Sequence, residues 1–199
     1  MPKIGVSKPY VAQYAWNGSA VTYSNGQLIA KAAEFSTTLN PANDNNFYAD
    51  NVVSESDTEF SNGSGQMTVD DLLADPAKFI YGLEQTQYTP SGGDSSPVQI
   101  NQYNNAMTSP YCGLGVIIKI KNNNVTKWRG VILNKVQFTV PSESVQTQGQ
   151  TINWQTTPIP FTILRDDTTK QGWMKDGTFE SEDAALTWIK SVLTPVAEE

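Results

Sequence analysis

The clearest pattern in the chain is an alternation. Cys112, Leu114, Val116, Ile118 and Ile120 are apolar at every second position, Asn122 to Asn124 interrupt the run, and Val125 to Val140 alternates again. Period-two apolarity across a short Asn-rich break predicts a long β-hairpin. A second alternation follows Leu28: Ala33, Phe35, Thr37 and Leu39 share one face of a predicted strand, with Glu34, Ser36 and Thr38 on the other. Asn40, Pro41 and the NDNN run from Asn43 end it. The segment FYADNVV reads as a short strand or loop base, and alternation resumes from Thr58 to Ser61. Gly63 and Gly65 then predict a bulge or a close backbone approach before Met67 and Val69.

Helical spacing occurs twice. Asp75 before Pro76 reads as an N-cap and first-turn pair, with Phe79, Ile80 and Leu83 as the apolar face and Gly82 as the stop. Near the C-terminus, Ser181 is placed to cap a helix whose Ala185, Trp188, Ile189 and Val192 form one stripe at i, i+3, i+4 and i+7. Between these helices, Ile152, Trp154 and Thr156 open a further strand continued by Phe161 and Ile163. Pro158 and Pro160 would confine that strand to an edge or a bulge. A turn is expected at Asp176 and Gly177.

Residues 1–26, rich in Gly, Pro, Ser and Asn, read as an extended arm with one short strand near Tyr10 to Tyr14. Residues 85–110 read as an exposed polar loop, either disordered or a binding excursion. Together the elements predict a mainly β chain: a β-sandwich flanked by one or two α-helices, in a single domain over 27–199 with an N-terminal arm and long loops.

Charge sharpens this outline. The 199 residues carry a formal charge of -7, and the sequence pI is 4.6, which argues against a protein that holds nucleic acid through Lys and Arg. The negative charge is localised. Between Lys31 and Lys78 there is no Lys or Arg, while nine acids occur from Glu34 to Asp75. No acid occurs from Ser95 to Ser142, where Lys119, Lys121, Lys127, Arg129 and Lys135 punctuate the hairpin. Two territories of opposite sign either neighbour one another within one subunit or attract between copies in a heterologous contact.

Candidate chemistry is sparse. The absence of histidine removes imidazole from every catalytic and metal-binding scheme. Cys112 is alone among apolar neighbours and has no base partner, which makes it a poor nucleophile and leaves no intrachain disulfide. The GSG at 63–65 precedes a strand and no Gly-Lys-Ser/Thr, so it is not a phosphate loop. Asp70 and Asp71 suit helix capping better than a metal, and NPANDNN lacks the Gly and Glu of a calcium loop. Glu55, Asp57 and Glu59 alternate on one strand face, which formally allows paired-carboxylate hydrolysis but supplies no proton-transfer partner. No catalytic set, cofactor or metal site is therefore expected. No apolar run is long enough to span a membrane, and the start MPKIGVSKPY has no signal-peptide core, so folding in a cytosol is the expectation.

The succession LIAKAAEFSTTLNPANDNNFYADNVVSESDTEF, GQMTVDDL, YCGLGVIIKIKNNNVTKWRGVILNKVQFTVPSESVQTQGQTINWQTTPIPFTI and DGTFESEDAALTWI resembles the major tail proteins of long non-contractile-tailed bacteriophages, the phi13-like group. FYADN with the following SES, and KVQFTVPSESVQTQGQTINW, carry most of the likeness. It spans roughly residues 25–190, and the polar stretch 85–110 departs from it as an expansion. The resemblance implies a virion structural protein assembled in the host bacterial cytoplasm, which forms hexameric rings stacked into the tail tube, the conduit for the genome. Its implied partners are other copies of itself, the tape measure and tail-end proteins, and DNA in transit, without a membrane.

On that resemblance the strands 33–39 and 58–69 would form the acidic inner wall, with Glu34, Asp57, Glu59 and Asp70 as lumen-lining candidates. Residues 40–57 would be the inter-ring or inter-subunit loop, offering Asn43, Asp44, Phe47, Tyr48, Asp50 and Glu55. Independently of the resemblance, the charge separation makes Lys119, Lys121, Lys127, Arg129 and Lys135 the candidate basic contacts of the hairpin. A competing class is a carbohydrate- or cell-surface-binding sandwich in which Tyr103 and Trp128 stack on a ligand.

Overall fold

A computed structural model describes residues 2–41, 45–49, 52–57, 59–91, 96–142, 147 and 155–194, and of 41, 45–49 and 52–57 it describes the backbone. The chain order is β1 (Lys3–Trp16), β2 (Val21–Leu28), β3 (Ala32–Pro41), β4 (Asn45–Ala49), β5 (Val52–Asp57), β6 (Phe60–Val69), α1 (Ala74–Tyr81), β7 (Glu84–Tyr88), β8 (Val98–Gln102), β9 (Tyr111–Asn122), β10 (Val125–Phe138), β11 (Thr157–Leu164), β12 (Met174–Phe179) and α2 (Glu182–Leu193). An antiparallel sheet in the order β2-β1-β9-β10-β11-β6-β3, with β12 also on β10, makes the sandwich. Two ribbons, β4–β5 and β7–β8, stand apart from it. The mainly β sandwich flanked by helices is the architecture expected from the sequence.

One strand belongs to both layers. Residues Trp128 to Leu133 of β10 pair with β12, whereas Lys135 to Phe138 pair with β11, and β9 runs along the other edge throughout. The change of partner coincides with a register shift between Leu133 and Val136. Such bulges increase local twist and re-aim the strand. Here the bulge lets β11, β6 and β3 turn away from β12 and fold over the β1–β9–β10 layer. The main core fills the space between, with Met67, Leu114, Leu133, Phe138, Ile159 and Ile163 fully buried.

The opposite face of β9 and β10 is also buried. Ala185, Ile189 and Leu193 of α2 close over Ala12, Ile117 and Ile132, and this second core explains why Ile117 and both Gly113 and Gly115 are covered. A Cβ on Gly115 would lie 2.4 Å from Ile189 Cγ2, so the glycine is what lets the helix approach. The Ser181 hydroxyl accepts from the Ala184 amide at 3.2 Å, with Glu182 and Asp183 in the first turn, as the capping pattern predicts. Helix α1 instead starts at Ala74 with Leu73 at its cap position and no side-chain cap, which puts Asp75 within the first turn rather than before it. Gly82, at φ 66°, ends α1 as expected.

Four expectations need correction. Residues 3–28 are not an arm: β1 lies between β2 and β9, and Tyr10, Val11 and Ala12 are core residues. The stretch 85–110 contains the paired ribbon β7–β8. Asp176 and Gly177 are not a turn but lie within β12, where Gly177 pairs with Gly130 and the Phe179 ring packs close over both. Strand β11 is interior rather than an edge. Its prolines are tolerated because Pro160 turns its backbone toward β10, whose paired stretch has ended at Phe138; there its carbonyl accepts the Thr139 amide at 3.0 Å. Ile152 and Trp154 lie outside the described residues.

Gly65 illustrates the close approach anticipated in β6. Phe161 lies opposite it on β11, and a Cβ on Gly65 would stand 2.3 Å from Phe161 Cζ. That space admits a ring which stacks with Phe35 at 6.0 Å and meets Phe138 edge-on at 5.9 Å. In an ordinary strand position Gly→Ala is favourable. Here Gly65→Ala is expected to lower unfolding free energy by about 1–3 kcal/mol through overpacking. In a Phe161→Ala background the same change should cost little, as a denaturant double-mutant cycle would read out directly.

Candidate functional site

The register of β11, β6 and β3 creates a distinctive outward face. Glu34 opposes Thr68, Ser36 opposes Gln66, Thr38 opposes Ser64 and Asn40 opposes Asn62, while Thr162 of β11 lies beside Ser64. Because opposed residues in an antiparallel pair share a face, these side chains form rows of hydroxyls and amides. Thr68 is half-buried and the others are exposed. Asn40 Nδ2 donates to Asn62 Oδ1 at 2.9 Å, and the Ser36 hydroxyl donates to the Gln66 carbonyl at 3.4 Å. Among the described residues of these three strands, Glu34 is the one charge on the face and no Lys or Arg lies on it, although at the β3 edge Glu34 and Ser36 also border a groove that Lys3 and Arg129 line. Across β6 the face can offer weak, reversible hydrogen bonding over a flat area.

The acidic candidates separate on this frame. Glu34 lies on the face, as the alternation in β3 predicts. Glu59 precedes β6 instead of lying within it, and it meets the Arg165 guanidinium at 3.6 Å. That guanidinium also donates to the Phe60 carbonyl. Asp70 is structural: its Oδ1 accepts the Lys31 and Asp71 amides at 3.0 Å each, joining the end of β6 to the start of β3. The Lys31 amide, foremost, holds the Asp70 carboxyl below its ordinary pKa.

Asp57 stands on β5 opposite Asn45, and Glu55 stands opposite Phe47 of β4, with Tyr48 beside it. The expected loop 40–57 therefore contains a two-stranded ribbon rising between β3 and β6. Asn43, Asp44 and Asp50 lie outside the described residues.

The five cations of the hairpin do not form one patch. Asn123 and Asn124, at φ 46° and 64°, make a two-residue turn of the type that matches strand twist, and they bring Lys127 opposite Ile120 and Arg129 opposite Ile118. Lys127 and Arg129 are thereby aimed at the mouth of the sandwich, where they pair with Glu180 at 2.7 Å and Asp176 at 2.8 Å. Lys119 and Lys121 lie on the opposite face, and both are exposed. Lys135 turns back at the bulge to meet Asp167 at 2.7 Å, with its ammonium over the rings of Tyr14 and Tyr111 at 5.0 and 4.6 Å. Three of the five cations are thus neutralised by acids of 167–180, not by the acidic territory.

At the mouth of the sandwich, Lys3, Glu34, Phe35, Ile118 and Arg129 line a groove of about 540 Å³. No cluster of three acid, histidine or cysteine groups is placed to hold a metal ion among the described residues. Cys112 is buried, and burial pushes its thiol up to about 12. Trp128 packs against the α2 core beside Phe179 and Trp188, whereas Tyr103 is exposed near Glu84 and α1, so the two aromatics do not form one stacking platform.

The rows on β6 were missed in the sequence because Gly63 and Gly65, which point inward, break the apolar alternation. Asn62, Ser64 and Gln66 between them were the available signal. No known protein family matches the chain, and no curated protein matches its sequence.

The Lys135–Asp167 pair generates a pH prediction. Lys135 and then Tyr14, whose hydroxyl donates at 2.7 Å, hold the Asp167 carboxyl below its ordinary value. Its stabilisation is complete above the unfolded carboxylate pKa, about 3.9, and is lost as pH falls through the lower folded value. Asp167→Asn should cost no more than about 1 kcal/mol at neutral pH, given the exposed position. It should also flatten the acid limb of a stability-versus-pH curve measured by urea titration.

Proposed function

We propose that this chain is a virion structural protein of a long non-contractile phage tail. In this reading copies assemble as hexameric rings, and stacked rings form the tube through which the genome leaves. The polar face of β11, β6 and β3 is the observation that carries the proposal. DNA presents about one negative charge per 1.7 Å of axis, so a wall studded with Lys and Arg would retain it. A face of short hydroxyls and amides with one carboxylate and no cation on its strands offers a polyanion only weak, reversible hydrogen bonds and no counter-charge, which suits a conduit.

The resemblance in sequence order adds the ribbon β4–β5 as the element that reaches a neighbouring ring. It also makes the tape measure and tail-end proteins partners at either end of the tube. The reading requires no reaction, cofactor or metal.

Electron microscopy of the concentrated protein should show rings or tubes of uniform diameter. The double change Glu34→Lys and Ser64→Lys places cations on the polar face without touching the core. It should leave tubes intact while conferring salt-sensitive DNA retention and reducing delivery in complemented phage at least tenfold. Normal infectivity of particles built from that variant would contradict the assignment of this face to the lumen.

A further inference from the structure

The ribbon β7–β8 is amphipathic in an inverted sense. Its side toward α1 is polar: Gln85 Nε2 donates to the Ala74 carbonyl at 3.3 Å and to Asn101 Oδ1 at 2.9 Å, and Asn101 Nδ2 donates to the same carbonyl at 3.1 Å. The other face pairs Tyr88 with Val98 and Thr86 with Ile100. Tyr88, Val98 and Ile100 are 56%, 49% and 43% exposed. Amide anchoring of one face thus turns the apolar face to solvent. Contiguous exposed apolar surface of this kind marks an interaction site, and an isolated two-stranded ribbon gains stability from being covered.

The far end of the molecule carries a complementary surface. The ribbon and α1 sit where β9 begins, because the Ser109 hydroxyl bridges the Ile80 and Phe138 carbonyls at 2.9 and 2.7 Å. Strand β9 then runs for roughly 35–40 Å to the β9–β10 tip, where Val125 is 53% exposed. Ile4, in a β1 bulge beside Ile120, is 52% exposed. Lys119 and Lys121 at this tip have no ion-pair partner among the described residues. At the ribbon end the acids Asp75 and Glu84 outnumber Lys78 of α1, and Lys135, over the Tyr111 ring, is already paired with Asp167. One end is therefore apolar with an excess of acid, and the other is apolar with unpaired cations. Different patches that complement one another on a single molecule make a heterologous contact.

We propose that the β7–β8 ribbon of one copy docks on the β9–β10 tip of a second copy, joining subunits head to tail along the strand axis. The inference rests on the tube reading only in requiring that copies associate. It assigns that association to a surface absent from the resemblance, the expanded stretch 85–110.

The test mixes an Ile100→Cys variant with a Val125→Cys variant at assembling concentration and treats the mixture with a short bismaleimide. Cys112 is buried and should not compete. The expected product is a cross-linked dimer containing one copy of each variant, in several-fold excess over either self-product. Tyr88→Ser or Lys119→Glu with Lys121→Glu should reduce it at least fivefold. A dominant product of two Ile100→Cys chains would show ribbon facing ribbon and overturn the head-to-tail contact. Tubes or rings without any mixed product would also overturn it while leaving the tube reading intact. Absence of both product and assembly would count against both.

Discussion

The structure depends on a single irregularity in β10. A strand can serve two layers only if it changes partner part-way, and the residues at the change must satisfy backbone groups that no ladder serves. Asn134 does this from a buried position. Its amide donates to the Trp173 carbonyl at 3.0 Å, its carbonyl accepts from the Tyr23 hydroxyl at 2.8 Å, and its side chain donates to buried Asp166 at 2.9 Å. Gly172 fits the return loop against this pair, since a Cβ there would lie 3.0 Å from Asn134 Nδ2. Next to it, Lys135 escapes outward to Asp167 and two aromatic rings. Apolar packing on either side supplies most of the stabilisation, but the split in the sheet places it in two cores rather than one.

The split also decides where charge is spent. Acids on the 167–180 segment meet Lys127, Arg129 and Lys135 within the subunit, and Lys8 meets Glu182 and Asp183 at the start of α2. These pairs are partly exposed and individually weak, so their effect is to fix orientation more than to stabilise. What remains unneutralised is distributed unevenly. The β11–β6–β3 face is left nearly free of charge, and Lys119 and Lys121 are left uncovered.

Much of the architecture was legible wherever side-chain periodicity and backbone geometry agreed. The β9 alternation, the α2 stripe with its Ser181 cap, and the two faces of β3 follow from the residues themselves. Strand β1 was obscured because it is covered fully only at Pro9 to Ala12 and is broken by Lys8 at φ 50°. The β7–β8 ribbon was obscured for the opposite reason: its inward side is amide, so polarity no longer marked the solvent side. The facing of Lys127 and Arg129 could not be read from alternation alone, since a turn one residue longer would reverse it. Of the candidate site, Glu34 was legible from its strand, whereas Asp70 read as a helix-capping or lumen-facing acid, and its tie between β6 and β3 rests on a Lys31 amide far away in sequence.

The central pair β9–β10 has a mechanical consequence. Their ladder runs over nearly the full length of both strands, β1 flanks it on one side, and β12 and β11 flank it in succession on the other. A force applied along the strands must shear many hydrogen bonds at once, whereas a force across the sheet could unzip the peripheral strands singly. The molecule is therefore stiffest along the axis joining its two chemically different ends, the direction in which a load passed from one subunit to another would travel.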